Sequence, residues 1–137
     1  MDREALHYAV QTGDLNEVHA LIAQGFDVNA FDFLGETPLH YAVKRENVEL
    51  AKLLLGNGAN VNAHDERMIG NTPLGDVAGN CSLAIAQLLI DHGADPTIPG
   101  WMQVNALHKA KKRKRGDGPA VYRLLVARAR KLGYHLA

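Results

Sequence analysis

Apolar positions recur along this chain as pairs of runs. A short run spaced i, i+3, i+4, such as Leu39, Ala42 and Val43, is followed by a longer one, Val48 to Leu55. In the longer run Val48, Ala51, Leu54 and Leu55 share a helical face, and Leu50 and Leu53 widen it. Each pair of runs predicts two helices. The pairs are periodic. Leu6 to Leu39, His7 to His40, Gly25 to Gly58, Asn29 to Asn62 and Leu74 to Leu107 are each separated by 33 residues. Leu39 to Leu74 is 35, with the two additional residues between Asp65 and Gly70. The other long runs are Val18 to Ile22, Leu83 to Ile90 and Val121 to Val126, and the first three of the four in chain order end in a glycine and a small polar stretch, as in Gly58-Ala59-Asn60-Val61-Asn62.

The pattern predicts helices near 4–12 and 16–24 at the start and about 119–132 at the end, the last closed by Gly133. On that last helix Val121, Leu124, Leu125 and Leu132 are expected to face inward and Arg123, Arg128, Arg130 and Lys131 outward. The segment from Thr72 to Asn80 carries Gly75 and Gly79. Each glycine costs about 0.5–1 kcal/mol relative to alanine inside a helix. A weak or short helix is expected there, the glycines being tolerated drift or space made for a partner or a neighbouring side chain.

Each unit opens on a variant of one motif. It is Gly35-Glu36-Thr37-Pro38-Leu39-His40-Tyr41-Ala42-Val43 in the second, Glu4-Ala5-Leu6-His7-Tyr8-Ala9-Val10 in the first, Gly70-Asn71-Thr72-Pro73-Leu74-Gly75-Asp76-Val77-Ala78 in the third and Asn105-Ala106-Leu107-His108-Lys109-Ala110 in the fourth. Thr37 suits a helix N-cap and Pro38 the first helical position. The motif and its period resemble the ankyrin repeat, whose signature is T-P-L-H-x-A. The first unit lacks Thr-Pro, the third has Gly75 in place of histidine, and the fourth keeps Ala-Leu-His-x-Ala without the closing Gly-Ala turn. The resemblance implies an all-α ankyrin-repeat solenoid of four helix-turn-helix repeats with short hairpin finger loops. One domain over 1–137 is expected, with repeats near 1–31, 32–64, 65–98 and 99–137. It also implies that His7, His40 and His108 are structural, and that protein recognition uses the fingers and the concave helix face.

Composition adds limits. There is no apolar run near 18 residues, so no membrane span is expected. The polar opening Met1-Asp2-Arg3-Glu4 is unlike a secretory leader. A single cysteine, Cys81, excludes an internal disulfide and fits a reducing compartment, so a cytoplasmic location is expected. The net charge of +0 conceals an asymmetry. Residues 1–108 hold five Lys+Arg against 14 Asp+Glu, whereas residues 109–137 hold ten against one.

Candidate chemistry is sparse. No H-x-x-x-H or C-x-x-C pair supports a metal, and no nucleophile elbow, phosphate-binding glycine loop or paired-carboxylate motif points to catalysis. A non-enzyme without cofactor, acting as a monomer, is expected. The candidate partner-binding residues are Phe33, Leu34, Tyr41, Lys44, Arg45, Met68, Ile69, Asp76, Trp101 and Lys109. In the first finger Phe31 and Leu34 either pack on helix ends or leave Phe33 exposed as an anchor. Trp101 either covers the last seam or stands exposed. The basic run Lys109 to Arg115, with Lys111, Lys112, Arg113, Lys114 and Arg115 as a patch, admits three readings: a solvated end face, a dock for an acidic partner, or a nucleic-acid or nuclear-import element. The leading reading of function is an adaptor or scaffold. Alternatives are an inhibitor or immunity-type protein that masks an enzyme or toxin, and binding of nucleic acid or an acidic partner through 109–115.

Overall fold

The computed structural model describes residues 4–68 and 70–135. Eight α-helices are present among them: α1 (Ala5–Thr12), α2 (Leu15–Ala23), α3 (Pro38–Lys44), α4 (Val48–Gly56), α5 (Pro73–Val77), α6 (Leu83–Asp91), α7 (Ala106–Lys111) and α8 (Gly118–Lys131). The short helices α1, α3, α5 and α7 stack as one layer, and α4, α6 and α8 form the second, with α2 packed on α1. This is the all-helical solenoid that the repeated pattern predicts.

One continuous core runs through the stack. Leu6, Leu39, Leu74 and Leu107, the leucines of the repeated motif, are all buried in it. So are Val18, Leu50, Leu54, Ile85, Leu89, Val121 and Leu125 from the long helices. Each full burial of such a side chain is worth about 1.5–3 kcal/mol. No helix pair can cover both of its faces alone, so the stability belongs to the array.

The ends of the long helices follow one rule. Asp14, Asn47 and Ser82 accept hydrogen bonds from the backbone N–H groups of Glu17, Leu50 and Ile85. Gly58 adopts φ +92, and the next residue, Ala59, donates its N–H to the Leu54 carbonyl at 3.0 Å. Gly133, at φ +88, closes α8 in the same way through Tyr134 N–H and the Ala129 carbonyl.

Asparagines stitch the seams between turns. Asn29 donates to the Gly58 carbonyl at 3.0 Å and accepts from Asn60 N–H at 2.7 Å. Asn62 does the same with Gly93 and Asp95 at 3.2 and 2.8 Å. The last seam has no such pair, because the fourth unit lacks the Gly-Ala turn. Arg128 serves there instead, donating from Nε to the Ala94 carbonyl at 3.2 Å. That corrects its expected outward placement. Leu132 departs in the other direction: it lies past the end of α8, in the turn before Gly133, and is exposed.

The α5 helix is five residues long, as its glycines predict. The structure supplies the reason for its neighbours. Lys109 of α7 extends across and donates from Nζ to the Gly75 carbonyl. Arg113 donates from Nη1 to the carbonyls of Ala78 and Cys81 at 3.3 and 2.9 Å. The short helix leaves carbonyls without intrahelical partners, and two cations of the basic run satisfy them. Cys81 itself is buried, and burial pushes its thiol up to about 11.

Candidate functional site

Three fingers project from one edge of the stack, each held by a different local device. In the first, Asp32 organises the turn. Its backbone N–H donates to the Glu36 carbonyl at 2.8 Å, and its Oδ1 accepts from the N–H groups of Leu34 and Glu36, both at 3.0 Å. Its Oδ2 accepts from the Tyr41 hydroxyl. Burial works to raise the Asp32 carboxyl, but the Tyr41 hydroxyl and these two backbone donors outweigh it and hold the group below its ordinary value. Burial and the same hydrogen bond push the Tyr41 phenol up.

The second finger is a 3-10 turn, Glu66–Met68, in place of a hairpin. The two additional residues are absorbed here. The Asp65 carbonyl accepts from the N–H groups of Met68 and Gly70, both at 3.0 Å, while its buried carboxylate accepts from Arg67 N–H at 3.1 Å. The third finger closes between Gly100 and Val104, whose carbonyl accepts the Gly100 N–H at 3.0 Å. Met102 and Gln103 within it sit at φ 58 and 61. A left-handed conformation at a non-glycine residue costs of order 1–3 kcal/mol.

The fingers interlock. A Cβ on Gly35 would stand 3.1 Å from Met68 Sδ, and one on Gly100 would stand 1.8 Å from Asn71 Oδ1. Asn71 Oδ1 also accepts the Trp101 N–H at 3.2 Å. The result is a line of tips fixed by backbone bonds, with large apolar side chains outward: Phe33 76%, Leu34 58%, Met68 48% and Trp101 62% exposed. Phe31 is half-buried. The alternatives left open by the sequence thus divide, with Phe31 partly packed and Phe33, Leu34 and Trp101 exposed. Ile69 lies outside the described residues.

Behind the tips, the concave face carries a polar cluster. Lys44 is paired with Glu36 and lies 3.8 Å from Asp76 Oδ2. Its Nζ is also 4.9 Å from the centre of the Tyr41 ring, and that ring meets His7 edge-on at 6.1 Å. Asn71 Nδ2 donates to Asp76 Oδ1 at 3.1 Å. Burial, together with the Asp76 carboxylate, raises the Glu36 carboxyl, and the Lys44 ammonium opposes this in part. Asp76 is only 14% exposed at its side chain, so it holds the cluster together and offers little surface. Tyr41 is likewise half-buried. Arg45 stands apart, at the far end of α3, with its guanidinium against Gly13. Asp32, Glu36 and Asn71 organise this surface, and nothing in their spacing distinguished them from ordinary turn residues.

The motif histidines are seam residues. Thr37 N–H donates to His40 Nδ1 at 3.0 Å, so the proton resides on Nε2, which donates to the Asn71 carbonyl at 2.7 Å. Burial lowers the His40 imidazole from its ordinary value. His7 Nε2 stands 2.8 Å from the Ala30 carbonyl. His108 accepts the Asn105 N–H at Nδ1, at 3.2 Å, but it is exposed.

Of the basic run, Lys109 and Arg113 turn inward to α5 and its loop, and both stay half-exposed. Lys111, Lys112, Lys114 and Arg115 are exposed. Among the described residues no group of three or more His, Cys, Asp or Glu could hold a metal, and no helix is long and apolar enough to cross a membrane.

Family comparison agrees with this geometry. A family model described as ankyrin repeats (3 copies) matches residues 1–65, and a single ankyrin repeat matches residues 69–101. A comparison with curated proteins finds no match. The α7–α8 pair lies beyond the matched residues but stacks on the preceding pair in the same manner. Ankyrin repeats are in general protein–protein interaction modules. With stacked helix pairs, seam histidines, left-handed glycine closures and matches over most of its length, the chain belongs to the ankyrin-repeat family.

Proposed function

We propose that this protein is a non-catalytic adaptor or scaffold that takes one protein partner along its finger tips, with the Tyr41–Lys44 region of the concave face as a polar border. The observation that carries this reading is the line of exposed Phe33, Leu34, Met68 and Trp101 side chains on turns pinned by backbone hydrogen bonds. Aromatic anchors on rigid supports lose little conformational freedom on binding and are frequent hot spots. An apolar patch of this kind on a stable fold marks an interaction surface.

The test is capture from host lysate with nuclease present, comparing the parent with Phe33→Asp and Trp101→Asp variants. Both sites are exposed, so circular dichroism should show unchanged helix content. Retention of one protein by the parent, lost with either variant, supports the reading. Equal retention by parent and variants defeats it. Assaying the retained protein free and bound then separates a scaffold from an inhibitor.

A further inference from the structure

The α7 helix and the third finger border a second surface, whose charge differs from that of the exposed finger tips. On α7, His108, Lys111 and Lys112 fall at i, i+3 and i+4 and so share one side of the helix. Lys109 and Arg113, four residues apart, occupy the other side and are consumed by the carbonyls of Gly75, Ala78 and Cys81. The basic run is therefore two sets of cations with separate roles.

The outward set borders a pocket of about 400 Å³ lined by Met102, Gln103, Val104, His108, Lys111 and Lys112. Its apolar wall comes from Met102 and Val104. Met102 and Gln103 reach it from a turn in which both hold left-handed backbone conformations. Strain of this sort persists only where the surroundings enforce it and is concentrated at binding sites. The polar wall is made of donors. Because His108 Nδ1 accepts from Asn105 N–H, the neutral ring carries its proton on Nε2. The equivalent nitrogens of His7 and His40 meet finger carbonyls. That of His108 meets no acceptor among the described residues and borders the pocket. Lys111 and Lys112 form no ion pair there either.

We propose that this pocket is a second binding site, for an acidic protein segment that places a large aliphatic or aromatic side chain against Met102 and Val104 and a neighbouring carboxylate against His108, Lys111 and Lys112. The complementarity is specific in two ways. Three donors line one side, which favours an acceptor of negative charge. The opposite wall is apolar, which requires a hydrophobic side chain within reach of that charge. A nucleic-acid backbone satisfies the first requirement and not the second, and two of the run's cations are already committed inside the protein. The site takes Met102, Gln103 and Val104 from the third finger but not Phe33, Leu34 or Met68, so the Phe33→Asp variant separates it from the finger-tip reading.

The test uses short synthetic peptides labelled for anisotropy. One set carries Leu, Met or Phe beside Glu in every arrangement, a second has Gln for Glu, and a third has Ser for the apolar residue. Members of the first set should bind, with the Gln and Ser counterparts weaker by about tenfold or more. The exposed pair Lys111→Glu/Lys112→Glu should reduce binding by at least about tenfold. Val104→Asp should do the same, and Phe33→Asp should leave it unchanged. Trp101, the single tryptophan and close in sequence to Met102, gives a second readout by fluorescence. The proposal is overturned if no Glu-containing set member binds, if the Lys111/Lys112 double variant binds as the parent does, or if a single-stranded oligonucleotide binds this face and the peptides do not.

Discussion

The second and fourth repeats carry the same Leu-His motif and put it to opposite uses. In the second, His40 is buried, both ring nitrogens are engaged, and the following finger supplies the acceptor for Nε2. In the fourth, His108 makes the same helix-start contact through Nδ1, but its Nε2 faces an open pocket. Nothing about the residue has changed. What differs is that His40 Nε2 meets a finger carbonyl and His108 Nε2 meets no acceptor among the described residues. One sequence element therefore serves as an internal seam where a finger carbonyl meets it and as surface chemistry where none does.

Substitutions sharpen that contrast, beginning with the core. Leu54→Ala, in the fully enclosed second repeat, should cost about 2–5 kcal/mol. Leu107→Ala should cost less, near the lower end of that range, because Leu107 keeps slight exposure and Leu54 has none. Urea denaturation read by circular dichroism measures both, and equal losses would remove the distinction between middle and end. Next come the histidines. His40→Ala leaves a buried carbonyl unsatisfied and should cost about 1–3 kcal/mol. His108→Ala loses only a helix-start contact, about 1 kcal/mol or less. If His108→Ala proves the more damaging, the contrast between a buried and an exposed motif histidine is wrong.

The basic run offers a third comparison. Lys109→Met removes the donor to the Gly75 carbonyl and should destabilise by about 1–2 kcal/mol. Lys114→Ala, on the exposed side, should stay within about 0.5 kcal/mol. Equal effects in chemical denaturation would mean that the run is a uniform solvated face.

The smallest effect is expected with pH. Burial lowers the His40 imidazole below its unfolded value of 6.5. As pH falls through 6.5 the unfolded chain takes up this proton before the folded one does, so protonation favours unfolding. Stability should therefore decline between neutral pH and the folded-state value. His40→Gln should flatten that decline, and thermal melts across the range would expose a slope that fails to change.

Much of the architecture was legible in the chain. The period of 33 with its single lengthening to 35, the paired apolar runs and the recurrent glycines located α1, α2, α4, α6 and α8 to within a residue or two. These features were readable because helix faces and helix ends are local: an i, i+3, i+4 pattern, an Asn or Ser cap and a left-handed glycine depend on a few adjacent residues. The short α5 was legible for the same reason.

The candidate surface was legible only as a set of options. Phe33 and Trp101 were visible as large apolar residues in turns, but their exposure depended on Asp32 and Asn71 pinning the finger backbones. Asp76 read as concave surface and is mostly enclosed, because Lys44, Glu36 and Asn71 converge on it from two other elements. Lys109 and Arg113 were indistinguishable from Lys111 and Lys112 as members of a charge run. Their separation required the Gly75 and Cys81 carbonyls, roughly a full repeat earlier in the chain.

The sequence by itself determined the repeat, the helix pairs, the caps and the charge asymmetry, because each follows from local backbone preference and periodic burial. Only the tertiary structure decided which tips face outward, which lysines are spent inside and where His108 points. Those outcomes depend on contacts between residues about 30 or more positions apart, which stacking brings together and which no local preference encodes.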